Sequence, residues 1–217
     1  MLSEVRRIYR RLRFGEPVVV VSGLPRSGTS MLMKMLEAGG IGLVMDGVRT
    51  ADEDNPKGYF EDERVKRLAE QQDRTWIRKA RGQAIKVISH LLKELPDDNN
   101  YKVLFVRRNL DEILASQGKM LVRRGENSDT NDERMRELFQ NDLWKANYLL
   151  THAPQFELLE LQYREVLDDP ASQARRIDDF LGGRLDVAAM CAVVDKQLYR
   201  NRAEALTAGG KAGGGAP

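Results

Sequence analysis

Four consecutive valines, Val18 to Val21, lead through Ser22-Gly23 into the turn Leu24-Pro25-Arg26-Ser27-Gly28-Thr29-Ser30. β-Branched residues favour extended backbone. A run with no polar alternation suits a strand covered on both faces, which is the setting of a central parallel strand between helices. Beyond the turn, Met31, Leu32, Met35 and Leu36 recur at helical spacing, and Gly39-Gly40 stops that helix. Strand, glycine-rich turn and helix in this order predict an α/β fold of three layers, with a mostly parallel central sheet flanked by helices.

The same alternation continues along the chain. IGLV and AIKVIS read as strands, and a short helix is expected from Ser89 to about Leu95. YKVLFV is a strong strand, followed by a helix from about Leu110, where Asn109 and Glu112 have the spacing of a capping box. A long amphipathic helix from about Asp132 uses Met135, Leu138, Phe139, Ala146 and Leu149 on its apolar face. FELLEL is a further strand. Asp169-Pro170 opens a helix with Ala174, Ile177, Phe180 and Leu181 inside, and Gly182-Gly183 ends it. No internal repeat is present. The domain is expected to span residues 1–205, and the Gly/Ala-rich tail 206–217 is expected to be disordered.

The 217 residues suffice for one well-filled core. Thirty-five Lys and Arg against 33 Asp and Glu leave a net charge of +2, which argues against a dedicated nucleic-acid binder. The single cysteine, Cys191, has no intramolecular partner and sits among apolar residues, so it is expected to be a buried structural thiol. The run Val18 to Val21 is far too short to be a signal core or a membrane span, and a cytoplasmic protein is expected. The opening LSEVRRIYRRLRF places Leu2, Val5, Ile8 and Leu12 on one helical face with five arginines around it. Such a helix fits an anionic membrane or nucleic acid. The plainer expectation is a helix docked on the domain with its charges solvated.

A turn between strand and helix points backbone N–H groups and the helix dipole at one position, a ready site for phosphate. Gly28 permits close backbone approach, while Thr29 and Ser30 add hydroxyl donors. The spacing from Gly23 to Gly28 is that of an NTP-binding loop, but Thr29 stands where the phosphate-binding lysine belongs. The cation is instead Arg26, inside the loop. No apolar strand ends in an aspartate placed to hold Mg²⁺, and no metal is expected. The pattern suits a phosphate bridged to a second anionic group.

A second crossing from strand to helix, Val106-Arg107-Arg108-Asn109-Leu110 onward, puts Arg108 at the strand end and Ser116 eight residues later. The two motifs together resemble the PAPS-dependent sulfotransferase family, where PAPS is 3′-phosphoadenosine 5′-phosphosulfate. In that family a P-[KR]-S-G-T loop holds the 5′-phosphosulfate, matched here by Pro25-Arg26-Ser27-Gly28-Thr29. An arginine and a serine eight residues on hold the 3′-phosphate, matched by Arg108 and Ser116. Leu110 stands where many members have proline. LELQYREVLDDP is similar to a third family segment, which implies that Tyr163 lies near the adenine. The resemblance covers residues 17–182 and implies a P-loop NTPase-like fold and sulfuryl transfer from PAPS to a hydroxyl or amine.

The acceptor and its activating base are less defined. Ser89-His90-Leu91 is similar to the segment carrying the base in small-molecule members, though the lysine expected just before it is absent and Lys86 lies four residues before His90. Lys86 and His90 are carried as catalytic candidates with Arg26. Asp46 and Glu61 are the carboxylate alternatives and candidate acceptor-binding residues. Glu61 lies in NPKGYFED, whose Tyr59 and Phe60 suit a pocket wall or a loop anchor. His152, at a helix end, reads as structural. KQLYRNR is a candidate cover for the 3′-phosphate. The competing readings are a P-loop kinase or nucleotide hydrolase, which requires ATP and Mg²⁺, and a non-catalytic nucleotide-binding protein of the same fold. The sequence specifies neither the acceptor (carbohydrate, lipid, peptide or small metabolite) nor the oligomeric state.

Overall fold

The computed structural model describes residues 2–46, 60–123 and 131–195. Tyr59, the stretch 124–130, KQLYRNR and the tail 206–217 lie outside the described residues.

Five parallel strands form the sheet: β1 (Val18–Gly23), β2 (Leu43–Val44), β3 (Ala84–Ile88), β4 (Tyr101–Arg107) and β5 (Phe156–Gln162). Their spatial order is β2-β3-β1-β4-β5, so the valine strand lies at the centre. Its alternate side chains go to opposite faces. Val18 and Val20 join Ile85, Val87, Tyr101, Val103 and Phe105 in one core, while Val19 and Val21 join Leu32, Leu36, Leu104 and Val106 in the other. This is why the run is apolar throughout: neither face of β1 meets water.

Helices α1 (Leu2–Phe14), α2 (Thr29–Ala38), α3 (Glu63–Lys66), α4 (Leu110–Arg123), α5 (Asp132–His152), α6 (Tyr163–Asp168), α7 (Pro170–Leu181) and α8 (Val187–Ala192) complete the described chain, with 3₁₀ turns at Thr75–Ala80 and Ser89–Glu94. Two starts are set by local side-chain caps, the second of them the Asp169-Pro170 start expected from the sequence. Asn131 caps α5 by accepting from the Glu133 and Arg134 N–H groups, and Asp169 caps α7 with Pro170 in its first turn. The short elements α3, α6 and α8 have no periodic signature of their own, and α3 and α8 rest on side-chain caps from Asp62 and Asp186.

Three expectations need correction. The helix α1 is docked, but its apolar residues Val5, Ile8 and Leu12 face solvent, because Arg10 makes the contacts to the domain. Leu138 on α5 is also exposed, since the face that packs inward runs through Phe139, Ala146 and Leu150. Cys191 is half-buried at the margin of the second core.

The centre of the sheet carries the stability. Ile85 is fully buried on β3 against β1. Ile85→Ala is expected to lower the unfolding free energy by about 2–5 kcal/mol, as deletion of buried methyl groups does. Urea denaturation followed by circular dichroism measures it.

Candidate active site

The register of the sheet brings three strand ends level: Gly23 pairs with Ile88 on β3 and with Val106 on β4. The chain then turns, with the Ser27 N–H donating to the Leu24 carbonyl (3.2 Å), and α2 begins at Thr29. Gly28 has φ +109°, and an added Cβ there would lie 2.4 Å from the Tyr163 ring. Arg26 also adopts a left-handed backbone, φ +66°, which is costly for a side-chain-bearing residue. The first turn of α2 has no side-chain cap and no acidic residue, so its N–H groups and dipole stay directed at the loop. Ser27 Oγ is fully buried and has no hydrogen-bond partner among the described residues. These features fit an anion seated in the loop.

The second motif closes on the first. Arg108 Nη1 donates to the Arg26 carbonyl (3.0 Å), and its guanidinium lies 4.5 Å from the centre of the Tyr163 ring. Arg26 Nε donates to Ser116 Oγ on α4 (3.0 Å). Arg108 also forms a buried ion pair with Glu112 (2.9 Å), one helical turn along. Asn109 Oδ1 accepts from the Asp111 and Glu112 N–H groups, so the helix start is capped while the Glu112 carboxylate serves the arginine. Burial raises the pKa of Tyr163, and the Arg108 charge offsets only part of this, so its hydroxyl stays neutral.

A third group reaches the loop from β3. Lys86 Nζ donates to Ser30 Oγ (3.3 Å) and to Glu61 Oε1 (3.1 Å), and Lys66 Nζ lies 3.2 Å from Glu61 Oε2. Burial alone would raise the Glu61 pKa. The Lys86 charge and hydrogen bonds from Lys86 and Lys66 outweigh it, and the carboxyl ends below its ordinary 4.5. Asp46 holds this segment in place: Asp46 Oδ2 accepts from the Glu63 N–H (2.6 Å) and the Asp46 N–H donates to the Glu61 carbonyl (3.3 Å).

Of the predicted site residues, Arg26, Arg108, Ser116 and Tyr163 are thus linked by direct contacts, and Ser30, Lys86, Glu61 and Asp46 form a second linked set. His90 belongs to neither: it is exposed on the 3₁₀ turn and has no hydrogen-bond or ion-pair partner among the described residues. Its neighbour Ser89 is buried and bonded to Asp142 on α5 (2.5 Å). His152 sits at the end of α5, stacked on Tyr148 at 4.2 Å. Two contributors were not legible as such. Glu112 shows only a capping signature in sequence, and Lys66 has no motif that ties it to Glu61.

The profile of the sulfotransferase domain family matches residues 16–204. The chain belongs to that family. Membership carries the activity of that family, sulfuryl transfer from PAPS to an acceptor. No curated protein matches significantly. Among solved structures, the sulfotransferase is similar to a sulfotransferase from Alicyclobacillus acidocaldarius, with 17% identity, 87% of this chain and 98% of that one covered, and TM-score 0.48. It is also similar to a retinol dehydratase in complex with androsterone and the inactive cofactor PAP, with 20% identity, 87% and 67% covered, and TM-score 0.46. A sulfotransferase domain from the curacin biosynthetic pathway shares 12% identity over 76% of this chain and 74% of that one, with TM-score 0.45.

Gly28 is where loop, helix start and Tyr163 meet most tightly. Gly28→Ala is expected to abolish nucleotide binding and lower the melting temperature, since both the positive φ and the Tyr163 ring oppose a Cβ. Differential scanning fluorimetry with isothermal titration of 3′-phosphoadenosine 5′-phosphate measures both.

Proposed function

We propose that this sulfotransferase holds PAPS across its two phosphate motifs and activates the acceptor with Glu61. The observation that carries the reading is the contact of Arg26, Ser116, Arg108 and Tyr163 around the uncapped start of α2. Pro25, Arg26, Ser27, Gly28, Thr29 and Ser30 form the 5′-phosphosulfate cradle, with Ser27 Oγ and the α2 N–H groups as donors. Arg108 and Ser116 hold the 3′-phosphate, and Tyr163 stands beside them at the nucleoside. When bound, PAPS supplies a sulfuryl group already attached to a phosphate leaving group.

The protein's part is positioning and charge. Arg26 and the loop donors neutralise the bridging oxygen and the departing phosphate. Lys86 spans the loop hydroxyl and the carboxylate, so it is placed to stabilise charge between donor and acceptor. Glu61 takes the proton of the acceptor hydroxyl or amine as the acceptor atom bonds to sulfur and the sulfur–oxygen bond to phosphate breaks. Asp46 acts as a positioning residue by holding the Glu61 backbone. Among the described residues none hydrogen-bonds the His90 ring to orient it, which supports the carboxylate over the histidine. The acceptor is a carbohydrate, lipid, peptide or small metabolite. The lone Cys191 supports a cytoplasmic setting.

The test is formation of 3′-phosphoadenosine 5′-phosphate from PAPS with a panel of acceptors from these four classes. Glu61→Gln is expected to lower turnover on the order of 10²–10⁴-fold and His90→Ala to leave it unchanged. Because the Glu61 pKa is lowered, its carboxylate persists as pH falls past 4.5, so the acid limb of kcat/KM is expected below that value. Loss of turnover in His90→Ala with normal turnover in Glu61→Gln would reverse the assignment.

A further inference from the structure

The helix α1 makes its contacts with the domain through a charged residue. Arg10 Nε donates to Asn100 Oδ1 (3.1 Å), and Arg10 Nη2 donates to the Asp97 and Asn99 carbonyls (2.6 and 2.8 Å). The Asn100 amide donates back to the Arg10 and Gly15 carbonyls (3.0 and 3.3 Å), and the Arg10 guanidinium lies 4.7 Å from the centre of the Phe14 ring. At 3.6 residues per turn, Arg10 projects about 160° around the helix axis from both Ile8 and Leu12. The docking therefore turns the apolar stripe outward. Val5, Ile8, Tyr9 and Leu12 are 61%, 60%, 56% and 83% exposed.

Charge decides what this stripe fits. Arg11 and Arg13, both exposed, lie about 100° to either side of Leu12 and border the stripe on both flanks. An apolar strip between arginines, with a tyrosine at its edge, supplies the two attractions of interfacial binding: burial of apolar side chains among acyl chains and pairing of cations with anionic headgroups. A symmetric pairing with a second copy would bring the bordering arginines of the two copies together, whereas an anionic surface neutralises both rows.

We propose that α1 is a peripheral anchor that lies along an anionic phospholipid surface and holds the sulfotransferase there. The anchor is seated on residues 97–100, just before the first residue of β4, whereas the donor loops lie at the other end of that strand. The seven residues of β4 separate the two ends by roughly 20 Å. Membrane contact and chemistry thus occupy opposite ends of the sheet, and the proposal is independent of the residue roles assigned above.

Co-sedimentation of the full chain with vesicles of phosphatidylcholine, alone or mixed with phosphatidylserine, tests it. The chain is expected to sediment with the mixed vesicles and at least tenfold less with phosphatidylcholine alone. Raising salt to about 1 M, where the screening length falls to about 3 Å, is expected to release it. The double variant Ile8→Asp/Leu12→Asp alters only solvent-facing positions. It is expected to cut binding at least tenfold while keeping the wild-type melting temperature and its stabilisation by 3′-phosphoadenosine 5′-phosphate. Three outcomes would overturn the proposal: no sedimentation with either vesicle, sedimentation unaffected by the double variant, or a concentration-dependent dimer in light scattering that the double variant abolishes.

Discussion

The N–H groups in the first turn of α2 point at the loop with no side chain to cap them, held at the end of a strand buried on both faces. The starts of α4, α5, α7 and α8 are capped by Asn109, Asn131, Asp169 and Asp186, while the short α6 begins without a side-chain cap. An uncapped start leaves orphan donors and a partial positive charge, a cost that a bound anion offsets. The backbone accepts strain at Arg26, whose φ is positive, while Gly28 takes its positive φ without that cost. The rest of the site is arranged around that one point.

Arg108 is the tie that makes two motifs one site. It bonds the Arg26 carbonyl, covers the Tyr163 ring and pairs with Glu112, so it fixes loop, α4 and α6 relative to one another. A buried ion pair is a poor source of net stability, because desolvation of both charges consumes most of the attraction. Its value here is placement: Glu112 holds a guanidinium beside the loop in a fixed orientation. Lys86 plays the matching part on the other side of β1, linking Ser30 to Glu61. Cations therefore approach the loop from both neighbouring strands, the arrangement that the proposed transfer of a sulfuryl group from a phosphate would use.

What was legible in the sequence follows from how local each signal is. The valine run, the glycine-rich turn and the Asp169-Pro170 helix start depend on neighbours in the chain, and each appears where the residues place it. Arg108 and Ser116 are singled out by the family resemblance, whose motif is itself local, an arginine at a strand end and a serine eight residues on. Periodicity shows that α1 and α5 are amphipathic but not which face docks. Arg10 meets Asn100, ninety residues away, and that tertiary contact turns Val5, Ile8 and Leu12 outward. The same limit applies to the base. His90 and Glu61 are both plausible from their segments, and only the pairing of β3 with β1 brings Lys86, and Glu61 with it, to the loop.

The proposed recognition of a nucleotide carrying phosphates at both its 3′ and 5′ positions rests on Arg26, Arg108 and Ser116. Its most direct test is thermal stabilisation by 3′-phosphoadenosine 5′-phosphate, compared with ADP and with ATP plus Mg²⁺. At 100 times its dissociation constant the 3′-phosphorylated nucleotide is predicted to add about 2.7 kcal/mol, with the other two near zero, and Arg108→Ala is predicted to remove that selectivity. Stabilisation by ATP with Mg²⁺ in preference to the 3′-phosphorylated nucleotide would contradict the account.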